Sequence, residues 1–158
     1  MDSRVETYKH IQAVQRYLGY AICNLINRSE KHDQSKLVSP EVEIFDEYTP
    51  KLASSEYMSE EYKANLAGMK VALDHHYSVN DHHPEFYKNG IRGMGLFALT
   101  EMISDWLAAV KRHTNGDIRA SIEANQKRFG YTDEFKQILL NTVDEIENEE
   151  RKSRNQGL

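Results

Sequence analysis

SRVETYKHIQAVQRYLGYAICNLINRSEKHDQSK, residues 3–36, is the stretch that sets the terms for the whole chain. Its first part places apolar side chains at Val5, Tyr8, Ile11, Val14, Leu18, Ile22, Leu25 and Ile26, with no proline and a single glycine. That spacing predicts one long amphipathic helix over residues 3 to 28. Its last part, His32-Asp33-Gln34-Ser35-Lys36, sets an imidazole beside a carboxylate, two ready ligands for a divalent ion. Glu6 and His10 stand one helical turn apart and share a face, so they too can hold an ion together. The plainer alternative is that Glu6 is a solvated charge and His10 a boundary residue. Residues 32 to 36 predict a second, short helix with His32 and Lys36 on one face. Lys36 can then hold a phosphate oxygen as a point charge, or be an ordinary surface lysine.

The rest of the chain repeats the helical pattern. Ser39 predicts an N-cap with Pro40 at the first helical position and Glu41 in the first turn, opening a helix through Ile44, Phe45 and Tyr48. Thr49 to Ser59 is the least periodic stretch and predicts a surface loop, with a lid as one use for it. Ser59 caps the next helix, followed by Glu60 and Glu61. Leu66, Met69, Val71, Ala72 and Leu73 give that helix its apolar side, and His75-His76 lie at its end. Ser78 to Pro84 breaks any regular element, which leaves His82-His83 in or beside a loop. Four histidines within nine residues point to ligands more than to core packing, the alternative being a surface tract that gathers stray metal.

After a glycine-containing approach, Gly90 to Gly95, a helix carries the core stripe Leu96, Leu99, Ile103, Trp106, Leu107 and Val110. Ala98, Glu101, Met102, Asp105, Ala109 and Arg112 form a second, mixed face. A carboxylate on such a face is expected to be half-buried and to need a partner, either a metal or a basic residue, Arg112 or another. Asn115-Gly116 ends this helix. Asp117 caps one carrying Ile118, Ile122 and Phe129, and Thr132 caps a last one carrying Phe135, Ile138, Leu139, Val143 and Ile146. Beyond Glu147 the chain turns polar and is expected to fray. No alternating pattern predicts a strand. The expected fold is all-α, an orthogonal or irregular bundle of about six to seven helices, as one domain over 1–150 with a frayed polar tail over 151–158.

Composition narrows the function. A chain of 158 residues is long enough to bury a core of its own. Its net charge of −5 excludes broad duplex nucleic-acid binding but leaves room for a small anion held by local positive charge. The single cysteine, Cys23, excludes an internal disulfide and a cysteine-based zinc cluster, and reads as a small apolar filler. No apolar run reaches membrane-spanning length and no secretory h-region opens the chain, so a soluble, cytoplasmic protein is expected.

The order His10, then His32-Asp33, then a distant Asp105 resembles the HD superfamily of metal-dependent phosphohydrolases. Their ligand set is His, His-Asp and Asp on an α-helical bundle. Glu6 one turn before His10, the stretch His32 to Lys36, and the pair His75-His76 are similar to the HD-GYP branch, whose motif is HDxGK with a glycine where Ser35 stands. The chain departs from that branch at Asn80 to Pro84, where an Asp, Gly and Tyr-Pro are missing. It departs again between Asp33 and His75, where no histidine lies. The segments HDQSK, EYTPKL, LDHHYSVNDHHPE, TEMISDWLAA and GDIRASIEANQKRFG resemble an uncharacterised domain family of phages and bacteria over nearly the whole sequence. That resemblance implies a viral or prophage origin and hence a host cytoplasm.

By the resemblance, His10, His32, Asp33 and Asp105 hold one divalent ion, and His75, His76 and Glu6 or His82 hold a second or touch substrate. Mixed imidazole and carboxylate ligation suits one or two ions of manganese, iron, cobalt, nickel or zinc. Asp33 can bridge two ions, Lys36 and Arg112 can bind phosphate oxygens with His82 beside the substrate, and His76 or His83 can protonate the leaving oxygen. The expected activity is hydrolysis of a nucleotide phosphate ester, of a mononucleotide or a signalling nucleotide. The alternatives are an HD scaffold that binds a nucleotide or host protein with little or no catalysis, and a purely structural metal site. A homodimer through an amphipathic helix is left open.

Overall fold

The computed structural model describes residues 3–54, 59–112 and 116–156, without the side chains at 52, 53 and 62. Among them the regular elements are seven α-helices and three short 3-10 turns, with no strand. The expected all-α class is what the chain adopts. It divides into two compact units, Met1–Asn80 and Asp81–Leu158.

The first unit opens with α1 (Ser3–Lys31), a single uninterrupted helix of 29 residues. Arg28 and Lys31 in its last turn face the negative end of the helix dipole. Asp33 then takes a left-handed conformation (φ 55°, ψ 15°), which aspartate tolerates better than most residues. This turns the chain out of α1 into a 3-10 turn, Gln34–Leu37. The expected short helix at 32–36 is therefore a single tight turn. Ser39 is not an N-cap: the Ser39–Pro40 peptide is cis, and α2 (Glu41–Ser54) starts one residue later than the cap-and-proline pattern predicts.

The predicted loop from Thr49 to Ser59 is corrected in its first half, where α2 runs through Pro50 to Ser54. Proline removes one hydrogen bond to the residue four back, here Asp46, whose exposed position lets water take that bond. Residues 55–58 lie outside the described residues. The helix expected from Ser59 to His76 is two helices, α3 (Glu60–Gly68) and α4 (Lys70–Val79). At Gly68 a β-carbon would run into the Tyr48 ring, so glycine here permits α2 and α3 to approach. His75 and His76 sit in the last turns of α4, at the helix end where they were expected.

In the second unit, turns at Pro84–Phe86 and Gly90–Gly93 lead to α5 (Leu96–Val110), α6 (Ile118–Phe129) and α7 (Asp133–Asn155). Asp117 caps α6 by accepting from the backbone N–H of Arg119 and Ala120, and Thr132 caps α7 by accepting from Phe135. Gly130 ends α6 at φ 65°, a left-handed position suited to glycine. Asn115, expected to help end α5, lies outside the described residues. The core consists of Met102, Ile103, Leu107, Ile118, Ile122, Tyr131, Leu139 and Val143. The stripe predicted on α5 is rotated: Ala98 and Met102 are buried, whereas Leu96 is largely exposed. Ile138 on α7 is exposed as well. That rotation leaves Glu101 and Asp105 half-buried, as their mixed face suggested. α7 continues to Asn155, past the point where fraying was expected, with Lys152–Glu149 and Arg151–Asn148 pairs along its last turns.

The two units are filled differently. Among the described residues of the first, the buried side chains are Met69 and Ala72 with Glu41 and His76. A charged carboxylate and an imidazole thus make up half of that buried set, whereas the second unit buries a larger, mostly aliphatic set with one imidazole, His82.

Candidate metal centre

Glu41 stands at the first position of α2, where the helix dipole favours a carboxylate. Its two oxygens meet two rings from α4: Oε1 lies 2.7 Å from His75 Nδ1, and Oε2 lies 2.9 Å from His76 Nδ1. Burial by itself raises the Glu41 pKa. Hydrogen bonds from His75, Ser35 and His76, with the charge of His76, outweigh that and hold it below the usual carboxylate value. Glu41 is thus an anion at neutral pH and an acceptor for both rings. Asn80, at the end of α4, donates through Nδ2 to Ser35 Oγ (2.8 Å) and to the His76 carbonyl (2.8 Å). These bonds tie the turn after α1 to α4.

With its Nδ1–H directed at Glu41, the His76 ring presents Nε2 to the other side. There it meets Asp33 Oδ1 at 3.3 Å. The second oxygen of Asp33 lies 3.5 Å from His32 Nε2 and accepts from Lys36 Nζ at 2.6 Å. A ring nitrogen and a carboxylate oxygen so placed need a positive charge between them, either a second proton on the ring or a metal ion. Ligands of one ion bound at about 2.0–2.2 Å stand about 3–3.5 Å from each other, so these separations fit a shared cation. A carboxylate on the far nitrogen of a ligating histidine is the usual way to fix its tautomer and raise its basicity. The donor set His32, Asp33 and His76 therefore fits a divalent transition ion, with Glu41 as the carboxylate behind it.

The second unit holds a similar pairing. His82 is buried with Nδ1 3.2 Å from Glu101 Oε1, and its ring lies 4.1 Å from that of His83. Asp105 is on α5, one turn after Glu101. Arg112 is exposed just beyond α5 and joins no ion pair among the described residues, so it is not the partner that Asp105 was expected to have as an alternative to metal.

The structure thus brings together His32, Asp33, Lys36, His75 and His76. It does not bring Glu6 and His10 to them. Both are exposed on α1, and Glu6 is paired with Lys9 at 2.9 Å. His10 and His32 are separated by one continuous helix, which at 1.5 Å per residue spans about 30 Å. His76, expected as a proton donor, is too deeply enclosed for that and faces a carboxylate, which suits ligation. His75 is the member of the pair that reaches solvent. Glu41 was missed. It was read only as an acid favourable to a helix start, and nothing local marks an N-terminal glutamate that turns inward.

Residues 1–152 match the model of a family described as one of unknown function, DUF5662. The chain belongs to that family. No curated protein and no solved structure matches it. The family description assigns no activity, so chemistry must be argued from the side chains themselves. No described helix is long and apolar enough to cross a membrane.

Proposed function

We propose that the chain is a metal-dependent phosphohydrolase acting on a nucleotide phosphate ester, with His32, Asp33 and His76 as metal ligands. What supports this is one contact: His76 Nε2 faces Asp33 Oδ1 at 3.3 Å while Glu41 occupies the other nitrogen of the same ring. Bound there, a divalent ion would supply an activated water and neutralise phosphate charge. Glu41 holds His76 in the tautomer that turns the Nε2 lone pair toward the Asp33 side, where an ion would bind. Asp33 divides its two oxygens between the His76 side and the His32–Lys36 side. Lys36, only about a third exposed and 2.6 Å from Asp33, brings a cation to the place where a phosphate oxygen would need one. His75 keeps Nδ1 on Glu41 while more than a third of its side chain is exposed, and as an imidazolium it can deliver a proton to the leaving oxygen. The HD-like dipeptide His32-Asp33 in the sequence supports the same chemistry.

The test is phosphate release from nucleoside mono-, di- and triphosphates and cyclic nucleotides. The chain would be loaded in turn with Mn²⁺, Fe²⁺, Co²⁺, Ni²⁺ and Zn²⁺. At least one pair should turn over, and Asp33→Asn should abolish it along with most metal binding. Folded, loaded protein that leaves every substrate intact rejects the hydrolase. A second reading, a nucleotide-binding module without turnover, draws on the close Asp33–Lys36 pair, which engages the cluster's own cation. Tight nucleotide binding with the phosphate intact after long incubation would select it.

A further inference from the structure

α1 is unusual in its solvent exposure. No side chain along its 29 residues is buried. Tyr8, Ile11, Val14, Leu18, Ile22 and Ile26 fall on one side of the helix, 42–67% exposed. At on the order of 100 Å² each, they present about 600 Å² of apolar surface, the upper end of what a lone monomer shows in one patch. With Tyr17 and the half-buried Leu25 alongside, the strip approaches the roughly 800 Å² that each partner buries in a stable pair. Between residues 10 and 27 the only formal charge is Arg16, and charge depletion marks the centre of an interface. Both signs recur at each end, Glu6 among Arg4 and Lys9, and Glu30 between Arg28 and Lys31.

The occupant that fits is a second copy of this helix. Residues 11, 14, 18, 21, 25 and 28 follow the alternating three-four spacing of a helix–helix seam along one edge of that strip, exposed over its first half and half-buried at Ala21, Leu25 and Arg28. That seam is symmetric about its midpoint, between Gly19 and Tyr20. A two-fold antiparallel pairing therefore sets Ile11 across from Arg28, Val14 from Leu25 and Leu18 from Ala21. The same register places the turn Glu6–His10 across from residues 29–33. The acid and imidazole that stand about 30 Å from the His32–Asp33 cluster of their own chain would then stand beside that of the partner.

We infer that the protein is an antiparallel dimer through α1, in which Glu6 and His10 of the partner subunit complete each metal centre. The completed-centre part rests on the proposed metal site; the dimer does not.

Sedimentation of the unsubstituted chain across about 1–100 µM, roughly two decades around micromolar dissociation constants, should show a dimer. Leu18→Glu should make it a monomer with unchanged far-UV helix signal. Zn²⁺ or Mn²⁺ binding, followed by competition with a chelating dye, should weaken at least tenfold in both Leu18→Glu and His10→Ala. Mixing His10→Ala with Asp33→Asn chains should restore tight binding in about half of the mixed-dimer sites, because one site then has both intact turns. A monomer at the highest concentration overturns the inference, whether or not the exposed strip instead binds anionic vesicles or another protein. A dimer in which His10→Ala binds metal as tightly as the unsubstituted chain overturns the shared centre. If the unsubstituted dimer binds no metal at all, the proposed function fails while the dimer stands.

Discussion

Replacing Glu41 with glutamine is the sharpest probe of the centre. The carboxylate is fully buried and accepts from two imidazole nitrogens at 2.7 and 2.9 Å. An amide of the same shape keeps one acceptor and turns its NH₂ toward the other ring. One hydrogen bond to a charged group is lost, and such bonds contribute about 1.5–3 kcal/mol. For a chain of this size each kcal/mol moves the melting temperature by roughly 2–4 °C, so a fall of about 3–12 °C is expected. The ring that faces the NH₂ must lose its Nδ1 proton. If that ring is His76, its Nε2 becomes protonated and can no longer bind a metal ion. Removing a carboxylate behind a ligating histidine typically costs 10–100-fold in metal affinity. Differential scanning fluorimetry and a zinc competition titration would measure the two effects. Nitrogen-15 spectra of the imidazoles would report which nitrogen of His76 carries the proton. Unchanged metal affinity, with His76 still protonated on Nδ1, would refute the role given to Glu41.

Three further outcomes are expected. The Tyr131 hydroxyl donates to the Ile122 carbonyl at 2.5 Å, and its pKa is pushed up to about 12, first by burial and then by the charge of Glu123. Its folded pKa lies above the unfolded value near 10, so its contribution is complete below about pH 10 and is lost as pH rises through 12, on the order of 2 kcal/mol. Tyr131→Phe should flatten that alkaline dependence in urea melts, and an unaltered slope would contradict it. Gly68→Ala drives a methyl group into the Tyr48 ring and should cost about 1–3 kcal/mol; Tyr48→Ala in the same chain should recover much of that loss. Thr132→Ala removes the cap on α7 and should cost about 1 kcal/mol in chemical denaturation, with Thr132→Ser close to neutral.

Helices were legible in the sequence wherever period and cap agreed. Asp117 and Thr132 cap the helices they were expected to cap, because the signal is local: a short oxygen-bearing side chain and the N–H groups that follow it. Pro50 misled because proline weighs against a helix in any local reading, yet the chain carries on where the orphaned carbonyl is exposed. Gly68 was invisible as a boundary, since its reason is the Tyr48 ring, twenty residues away. At the centre, the adjacency of His32 and Asp33 and the doublet His75-His76 were readable as residue types. Which nitrogen of His76 faces Asp33 was not, because it depends on a glutamate from another helix. His10 was joined to His32-Asp33 by motif order, and only the unbroken length of α1 shows how far it stands from His32 in its own chain.

The contrast between the two interiors sets how each half of the chain can drift. Where Ile103, Ile122 and Val143 fill space, one aliphatic group can be exchanged for another of similar volume and the helices hold. Where Glu41 and His76 fill it, every exchange is also a change of charge, tautomer or ligand. Residues 1 to 80 therefore have few neutral replacements at their most enclosed positions, and a loss of chemistry there is at once a loss of structural support.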